Sequence, residues 1–298
     1  MKKVVVELVG GFCNSRCVWC FATYKCLEKM NRGMMSLENF ARFIDLNRKS
    51  PFNIIPFSHG EALLHPDFVK CCELAHTNGF PLQHLHTNFA MALTDKHFDI
   101  LARFKEVVVN VGGGKSATHY SNMKTDLNAV LSNLKRLSQR NIKNIKVKMV
   151  LNVKNIDECD ILNHKIKEIN PEISVGAYPV YFGPADSDNE DKAVFVRENL
   201  IAEDTSHLDK KIICRDEVAS NKNGQIEVLS RLKRCYGLIP TVRWDGSVNI
   251  CCRERYHDRS EGNAFALPLK TIWKSKAYKA ALKLGRKREY IDYCHYCS

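Results

Sequence analysis

The sequence predicts an α/β fold built on a parallel sheet. Over roughly the first 180 residues, short apolar segments alternate with helix-like segments, as buried parallel strands joined by helical crossovers do. The six predicted strands are Val4–Val9, Ile54–Ser58, Leu82–His86, Val107–Val111, Ile145–Leu151 and Ile173–Tyr178. Right-handed crossovers then give a single sheet. The alternation alone does not distinguish a partial barrel from an open, doubly wound sheet.

Helix-like patterns fill the intervals between these strands. Ser36 can cap the first helix, Pro66 suits the first turn of a second that Gly79 ends, and Thr94 can cap a third. An apolar stripe at helical spacing marks a fourth, formed by Leu127, Val130, Leu131, Leu134 and Leu137. Two further helices are predicted over about residues 156–166 and 271–284.

Composition narrows the class of protein. The chain has 298 residues, of which 45% are hydrophobic, so it can bury a substantial core. Its apolar N-terminal run is interrupted by Glu7 and is too short for a signal peptide or a membrane span, so we expect a cytoplasmic protein without membrane contact. The 13 cysteines therefore favour a metal or redox site over a disulfide scaffold.

The net charge of +12 has more than one interpretation. A solvated basic surface is the simplest, and an anionic substrate is a second. A nucleic acid is the partner that we favour least.

Three cysteines directly follow the first predicted strand. Cys13, Cys17 and Cys20 form a C-x3-C-x2-C motif, and thiolates are the usual ligands of iron–sulfur clusters. Three ligands can hold three irons of a cubane and leave the fourth iron open to a bidentate small molecule. Zinc is the alternative, although it usually takes four protein ligands and the nearest further cysteine is Cys26.

This motif, with Trp19 before its third cysteine, resembles the signature of the radical S-adenosylmethionine (SAM) superfamily. The resemblance implies a partial (β/α)6 TIM-type barrel, and a [4Fe–4S] cluster on Cys13, Cys17 and Cys20 that binds SAM. In that family, reduction cleaves SAM to methionine and a 5′-deoxyadenosyl radical, which abstracts a substrate hydrogen. An external one-electron reductant of the flavodoxin or ferredoxin type is also implied.

Polar positions at the predicted strand ends fit the same resemblance. Gly60 and Glu61 match part of the family's Gly-Gly-Glu segment, which contacts SAM, although a histidine replaces its first glycine. Asn88 follows the third strand, where related enzymes carry a Thr-Asn pair. Asn110 is a candidate for the ribose hydroxyls or a plain turn residue. Glycines 112–114 would let the backbone approach a ligand. Sites form at such strand ends in these folds.

A second set of cysteines lies in the C-terminal part of the chain. Cys235 and Cys251 flank a hairpin signal at Asp245-Gly246, in a C-x10-G-x4-C pattern, and Cys294 and Cys297 follow as C-x2-C. Four thiolates brought together can close a metal site. The spacing alone suits zinc as well as iron.

This pattern resembles the SPASM domain and, more closely, its shortened form, called Twitch. The resemblance implies an auxiliary [4Fe–4S] cluster on the same four cysteines. Because no cysteine follows the C-x2-C pair, we expect one auxiliary cluster and two clusters in all. The expected domains are a radical SAM partial barrel over 1–184, a linker region over 185–234 and a small α+β auxiliary-cluster domain over 235–298.

Together the two cysteine motifs resemble those of the short 2-deoxy-scyllo-inosamine dehydrogenases, and this resemblance implies oxidation of an aminocyclitol or sugar alcohol. A peptide carbon is the other substrate class, and because no leader-binding domain precedes Cys13, we expect a peptide substrate less. Cys252 is either a buried thiol or the hydrogen donor of a redox-neutral epimerase. An RNA-modifying enzyme and a zinc-binding structural protein are the alternatives from other classes.

Overall fold

The computed structural model describes residues 2–20, 31–140, 142, 144–152, 154–179, 219–220, 226–227, 238–251, 259–287 and 289–290. The strands are β1 (Lys3–Val6), β2 (Val9–Gly10), β3 (Gly33–Met34), β4 (Asn53–Ile55), β5 (His84–Thr87), β6 (Glu106–Val111), β7 (Ile145–Leu151), β8 (Ser174–Pro179), β9 (Ala219–Ser220), β10 (Ile226–Glu227), β11 (Thr241–Val242) and β12 (Val248–Asn249). The helices are α1 (Leu37–Asn47), α2 (Phe68–Thr77), α3 (Asp95–Leu101), α4 (Ser116–Met123), α5 (Leu127–Ser138), α6 (Cys159–Ile169), α7 (Leu269–Lys274) and α8 (Lys276–Lys287).

Six parallel strands form the wall of a partial barrel. β1 pairs with β4, and β5 to β8 pair in sequence. A parallel bridge between Ile54 and Leu82 joins the two groups, so the order β1-β4-β5-β6-β7-β8 is continuous. Helices α1 to α6 connect these strands. The predicted (β/α)6 class is therefore confirmed.

The strand β7 shows how the wall separates two faces. Ile145, Val147 and Met149 are buried in the main apolar core, while the alternate residues Lys146 and Lys148 stay partly exposed on the opposite face. Period-two alternation of this kind places one set of side chains against the helices and the other inside the barrel.

The C-terminal hairpin extends the barrel sheet. β11 and β12 pair antiparallel, as the Asp245-Gly246 signal predicts, and Gly246 has the positive φ of 86° that this turn requires. On its other side β11 pairs parallel with β1, with Val5 beside Thr241. The hairpin is thus joined to the first barrel strand by backbone hydrogen bonds.

The other predicted elements have mixed outcomes. Ser36 caps α1 by accepting from the Asn39 backbone at 3.1 Å, and Gly79 ends α2 with a φ of 79°. The helix predicted over 271–284 is divided at Ser275 into α7 and α8. Helix α4 is an addition that the sequence did not predict.

Most of the expected linker, 185–234, lies outside the described residues, and the part described there is the antiparallel pair β9–β10. Among the helices that the structure describes, none is both long and apolar enough to cross a membrane.

Candidate metal centre

The loop that carries the three N-terminal cysteines starts at the end of β2 and is anchored first on the segment after β4. The Gly11 amide donates to the His59 carbonyl, and the Glu61 amide donates to the Phe12 carbonyl at 2.9 Å. Gly60 has a φ of 147°, and a Cβ there would lie 2.7 Å from the Phe12 carbonyl oxygen. Glycine is needed at this position because the two backbones approach so closely.

The second half of the loop is anchored on the end of α4. The Ser15 hydroxyl and the Arg16 amide both donate to the Met123 carbonyl, each at 2.8 Å. The Val18 amide donates to the Asn122 carbonyl at 2.9 Å. These carbonyls belong to the last turn of a helix, which has no intrahelical donors for them. The free end of α4 therefore fixes the path of the loop between Cys13 and Cys20.

Asn88, at the end of β5, reaches the loop with its side chain. Its Nδ2 donates to Asn14 Oδ1 at 2.7 Å and lies 3.6 Å from the Cys13 sulfur. The residue is 6% exposed. Asn88 therefore joins the third barrel strand to the first cysteine.

Glu61 is a buried carboxylate that positions Asn88. Its Oε2 accepts from the Asn88 amide at 2.7 Å, and its Oε1 accepts from the Leu63 amide at 3.2 Å. Burial raises the pKa of Glu61 to about 7, and these hydrogen bonds oppose that rise. An ordinary surface carboxylate is excluded, because the residue is 2% exposed.

The three thiols share the loop and influence one another. Burial raises the pKa of Cys13 to about 11 and that of Cys17 to about 12. The charge of Cys20 raises both, while the Ser15 hydroxyl, 3.1 Å from the Cys17 sulfur, lowers the pKa of Cys17. Among the described residues, no three Cys, His, Asp or Glu side chains already stand together at metal-binding positions.

The chemistry of this loop nevertheless fits an iron–sulfur cluster. Its three sulfur donors belong to cysteines that are not fully buried, on a loop whose backbone is held at both ends. Thiolates are the ligands of such clusters, and metal binding displaces the thiol protons that burial otherwise retains.

The remaining N-terminal candidates lie around the same mouth of the barrel. Trp19 is half-buried within the loop, and Asn110 donates to the Thr87 carbonyl at 3.4 Å. The space beside Gly113 and Gly114 is taken by Glu158 and the start of α6. The close approach at residues 112–114 is therefore to protein, and the expectation of room for a ligand there is wrong.

Of the C-terminal cysteines, the structure describes one. Cys251 is buried and lies two residues beyond β12. Cys235, Cys252, Cys294 and Cys297 lie outside the described residues.

A buried charged group joins the hairpin to the base of the cysteine loop. Arg243 donates to His59 Nδ1 at 3.3 Å and lies 3.7 Å from the Glu7 carboxylate. Arg243 and Glu7 are both 0% exposed. Trp244, next in the hairpin, packs against Gly10 and donates to a backbone carbonyl at Asn31 over 3.2 Å.

Sequence reasoning missed the groups that hold the loop. Ser15 and Asn14 lie within the cysteine motif, and their polar side chains are a weak signal. Asn122 and Met123 are more than 100 residues away, on a helix without an apolar stripe, and nothing in the sequence links them to the motif.

A partial (β/α)6 barrel with a cysteine loop at its mouth defines an iron–sulfur enzyme that binds a small cofactor there. Residues 8–165 match the Radical SAM superfamily, and residues 238–298 match SPASM, an iron–sulfur cluster-binding domain. The chain therefore belongs to the radical SAM superfamily and carries a SPASM domain. Its cofactors are SAM and [4Fe–4S] clusters.

Solved structures share this fold at low sequence identity. Streptococcus suis SuiB bound to precursor peptide SuiA has a TM-score of 0.61 at 13% identity, over 94% of this chain and 66% of that chain, which is less than two thirds of SuiB. BtrN in complex with AdoMet and 2-DOIA has a TM-score of 0.56 at 14% identity, over 100% of this chain and 93% of BtrN.

AnSMEcpe with bound AdoMet and Cp18Cys peptide has a TM-score of 0.61 at 15% identity, over 99% of this chain and 86% of that chain. Likeness at these identities shows the fold alone. No curated protein sequence matches the chain.

Proposed function

We propose that this protein is a radical SAM oxidoreductase that removes hydrogen from an aminocyclitol or sugar alcohol, or from a peptide carbon. When bound, SAM and its cluster would supply the 5′-deoxyadenosyl radical that abstracts a hydrogen atom. The auxiliary cluster would take up the second electron, and a base would take the proton that the oxidised substrate loses. One observation carries the proposal. The cysteine loop is held on the segment after β4 and on α4, with Asn88 of β5 beside Cys13.

The chain's own residues divide the work at the barrel mouth. Cys13, Cys17 and Cys20 ligate the first cluster, and Asn88 donates to the Cys13 sulfur. Glu61 fixes the backbone of Asn88 through its buried carboxylate. We propose that SAM binds at the same mouth of the barrel. The residues proposed to contact it are Trp19, Gly60, Glu61, Asn88 and Asn110.

The auxiliary cluster is assigned to Cys235, Cys251, Cys294 and Cys297. Buried Cys251 follows a hairpin that pairs with β1, which supports a second cluster close to the barrel. The proposed domains are 1–184, 185–234 and 235–298. We also propose a cytoplasmic location and a flavodoxin- or ferredoxin-type reductant.

Iron analysis and product detection on anaerobically reconstituted protein test this function. We expect about eight irons per chain, and 5′-deoxyadenosine on adding reductant and SAM. The triple variant with Cys13, Cys17 and Cys20 changed to alanine should retain about four irons and form no 5′-deoxyadenosine. The matched control Cys71→Ala removes a buried helical thiol and should keep both properties.

Three results would count against the proposal. Zinc without iron would indicate a structural metal protein, and unchanged iron in the triple variant would remove the ligand assignment. Solvent deuterium in a redox-neutral product would instead support epimerisation with Cys252 as the donor.

A further inference from the structure

The inner face of the barrel wall carries ionisable side chains that the first cluster does not use. We define this inner face by Phe57, His84, His86, Glu106, Lys146 and Lys148. On β5, His84 and His86 are half-buried, while the alternate residue Leu85 is fully buried in the helix-side core. The same alternation on β7 places Lys146 and Lys148 on the inner face. The side chains of these two histidines and two lysines therefore point away from the helices.

Aromatic contacts show that the side chains of neighbouring strands meet on this face. The Phe57 ring centroid lies 4.8 Å from that of His86 and 5.7 Å from that of His84. The two histidine rings are 5.8 Å apart. These rings form one wall of the barrel interior.

Both histidines are held neutral. Burial lowers the pKa of His86 to about 4, and the nearby charges of His84 and Lys148 lower it further, while Glu106 opposes them. Burial and the charge of Lys3 lower the pKa of His84 in the same direction. A neutral imidazole can donate one hydrogen bond and accept another.

Cations outnumber acids on this side of the sheet among the described residues. Lys146 forms an ion pair with Glu106. Lys148 lies two residues nearer the barrel mouth, is more buried than Lys146, and is close enough for its charge to act on His86. Lys3 acts on His84 from the neighbouring part of the wall. Near the barrel mouth, the charges of Glu7 and Arg243 offset one another.

The register of the sheet brings this face up to the proposed SAM contacts. Lys148 lies beside Asn110 in the β6–β7 ladder. His86 is two residues below Asn88 on β5, which corresponds to about 7 Å along a strand. A group bound between Lys148, level with Asn110, and His86, two residues lower, would therefore lie next to the proposed SAM contacts and partly beneath them.

We infer that the inner face binds an oxyanion group of the substrate, a carboxylate or a phosphate, through Lys148 and His86. This inference rests on the proposed function, because it places the substrate next to the proposed SAM contacts. The Lys148 ammonium attracts the anion across a site of reduced dielectric, and neutral His86 donates a hydrogen bond to it. Phe57 covers the adjoining apolar part of the substrate.

Calorimetric titration of the anaerobic holoenzyme with inorganic phosphate, and separately with acetate, tests the inference at constant ionic strength. Lys148→Met should weaken binding at least about tenfold, because it removes the charge and keeps an unbranched side chain of similar size. Lys135→Met is the matched control, since Lys135 is exposed on α5 on the helix side of the wall, and binding should change less than about twofold.

If Lys148→Met fails to fold, a variant that is expected to strengthen anion binding still tests the inference. Glu106→Gln removes the acid of the same face and should tighten anion binding several-fold. Binding of phosphate alone would identify a phosphorylated substrate, and binding of acetate alone a carboxylate. Either result supports the inference.

Equal affinities in wild type, Lys148→Met and Glu106→Gln, or no binding of either anion, would overturn the inference. Wild-type protein that forms 5′-deoxyadenosine and binds no anion would leave the proposed function intact. Protein that binds anions on the inner face and never cleaves SAM would overturn the proposed function instead.

Discussion

The Nδ2 of Asn88 donates to both Cys13 and Asn14. A hydrogen bond to a ligand sulfur stabilises the more negative, reduced cluster and so raises its reduction potential. We expect Asn88→Ala to lower the potential of the SAM-binding cluster while iron content stays at the wild-type level, because the three thiolates remain. Redox titration followed by electron paramagnetic resonance measures this potential.

The control for this prediction is Asn144→Ala. The Asn144 side chain donates to the Lys105 carbonyl at the opposite end of the strands, so its loss should leave the potential unchanged. A potential that is equal in Asn88→Ala and wild type would show that the amide does not act on the sulfur.

Gly60 and Gly79 both have a positive φ, and only at Gly60 would an added Cβ also overlap with neighbouring atoms. At Gly60 an added Cβ would meet the Phe12 carbonyl at 2.7 Å, whereas at Gly79, with a φ of 79°, nothing lies within 4 Å. Gly79→Ala should therefore cost only the left-handed strain, about 1 kcal/mol. Gly60→Ala should cost more, about 2–3 kcal/mol, and should also lower iron content, because the displaced backbone is that of the cysteine loop.

Urea unfolding and iron analysis of both glycine variants check this difference. Equal stability losses, or full iron content in Gly60→Ala, would contradict the close approach between residues 12 and 60.

At the scale of the element, α4 is the helix that sets the site. His119 is fully buried in it, where Nδ1 accepts from the Gly112 amide at 3.1 Å and Nε2 contacts the Thr125 hydroxyl at 2.9 Å. This arrangement requires the neutral imidazole with its proton on Nε2. Burial lowers the pKa of His119 to about 4. The junction of α4 with β6 therefore depends on pH.

The sign of this dependence follows from proton uptake. Below its ordinary pKa of 6.5, the unfolded chain binds a proton at His119 that the folded chain does not. Stability should consequently fall by up to about 3 kcal/mol as pH drops from 6.5 towards 4. His119→Asn keeps an acceptor for Gly112 and cannot be protonated, so its stability should vary less over this range. Urea unfolding measures the free energy of unfolding at each pH. If this free energy depends on pH equally in wild type and His119→Asn, His119 is not the group responsible.

The elements differ in how far the sequence determines them. The barrel strands were predictable because their buried positions are apolar, in a run in β1 and at alternate residues in β7. The bounds of β7, Ile145–Leu151, were predicted without error. Helix α4 was missed because the residues that it buries are His119, Asn122 and Met123, which give no apolar stripe. Polar contacts with distant segments stabilise α4, and such contacts leave no periodic signal.

The same division applies to the site. The spacing of Cys13, Cys17 and Cys20 identified the loop because ligand chemistry fixes that spacing. Its supports were not predictable, since Ser15 meets a carbonyl 108 residues away. Residue types and spacing are local in sequence, whereas the hydrogen bonds that position them depend on the folded chain.

At the scale of the whole molecule, the C-terminal hairpin and the cysteine loop share one buried junction. Arg243 donates to His59, and the His59 carbonyl accepts from Gly11 two residues before Cys13. β11 also pairs with β1, so backbone and side chain connect the two parts of the chain. A substitution of Arg243 should therefore affect both the hairpin and the cysteine loop.

Arg243→Met tests this connection. Removing one member of a buried charged group leaves the carboxylate of Glu7 in a site without solvent, which costs about 3–5 kcal/mol. Arg48→Met removes an exposed partner of Asp45 and should cost less than about 0.5 kcal/mol. The double change Glu7→Gln with Arg243→Met should recover part of the loss, because no buried charge then lacks a counter-charge. If Arg243→Met is as stable as Arg48→Met, or if the double variant recovers nothing, the hairpin is joined to the barrel by its backbone pairing alone.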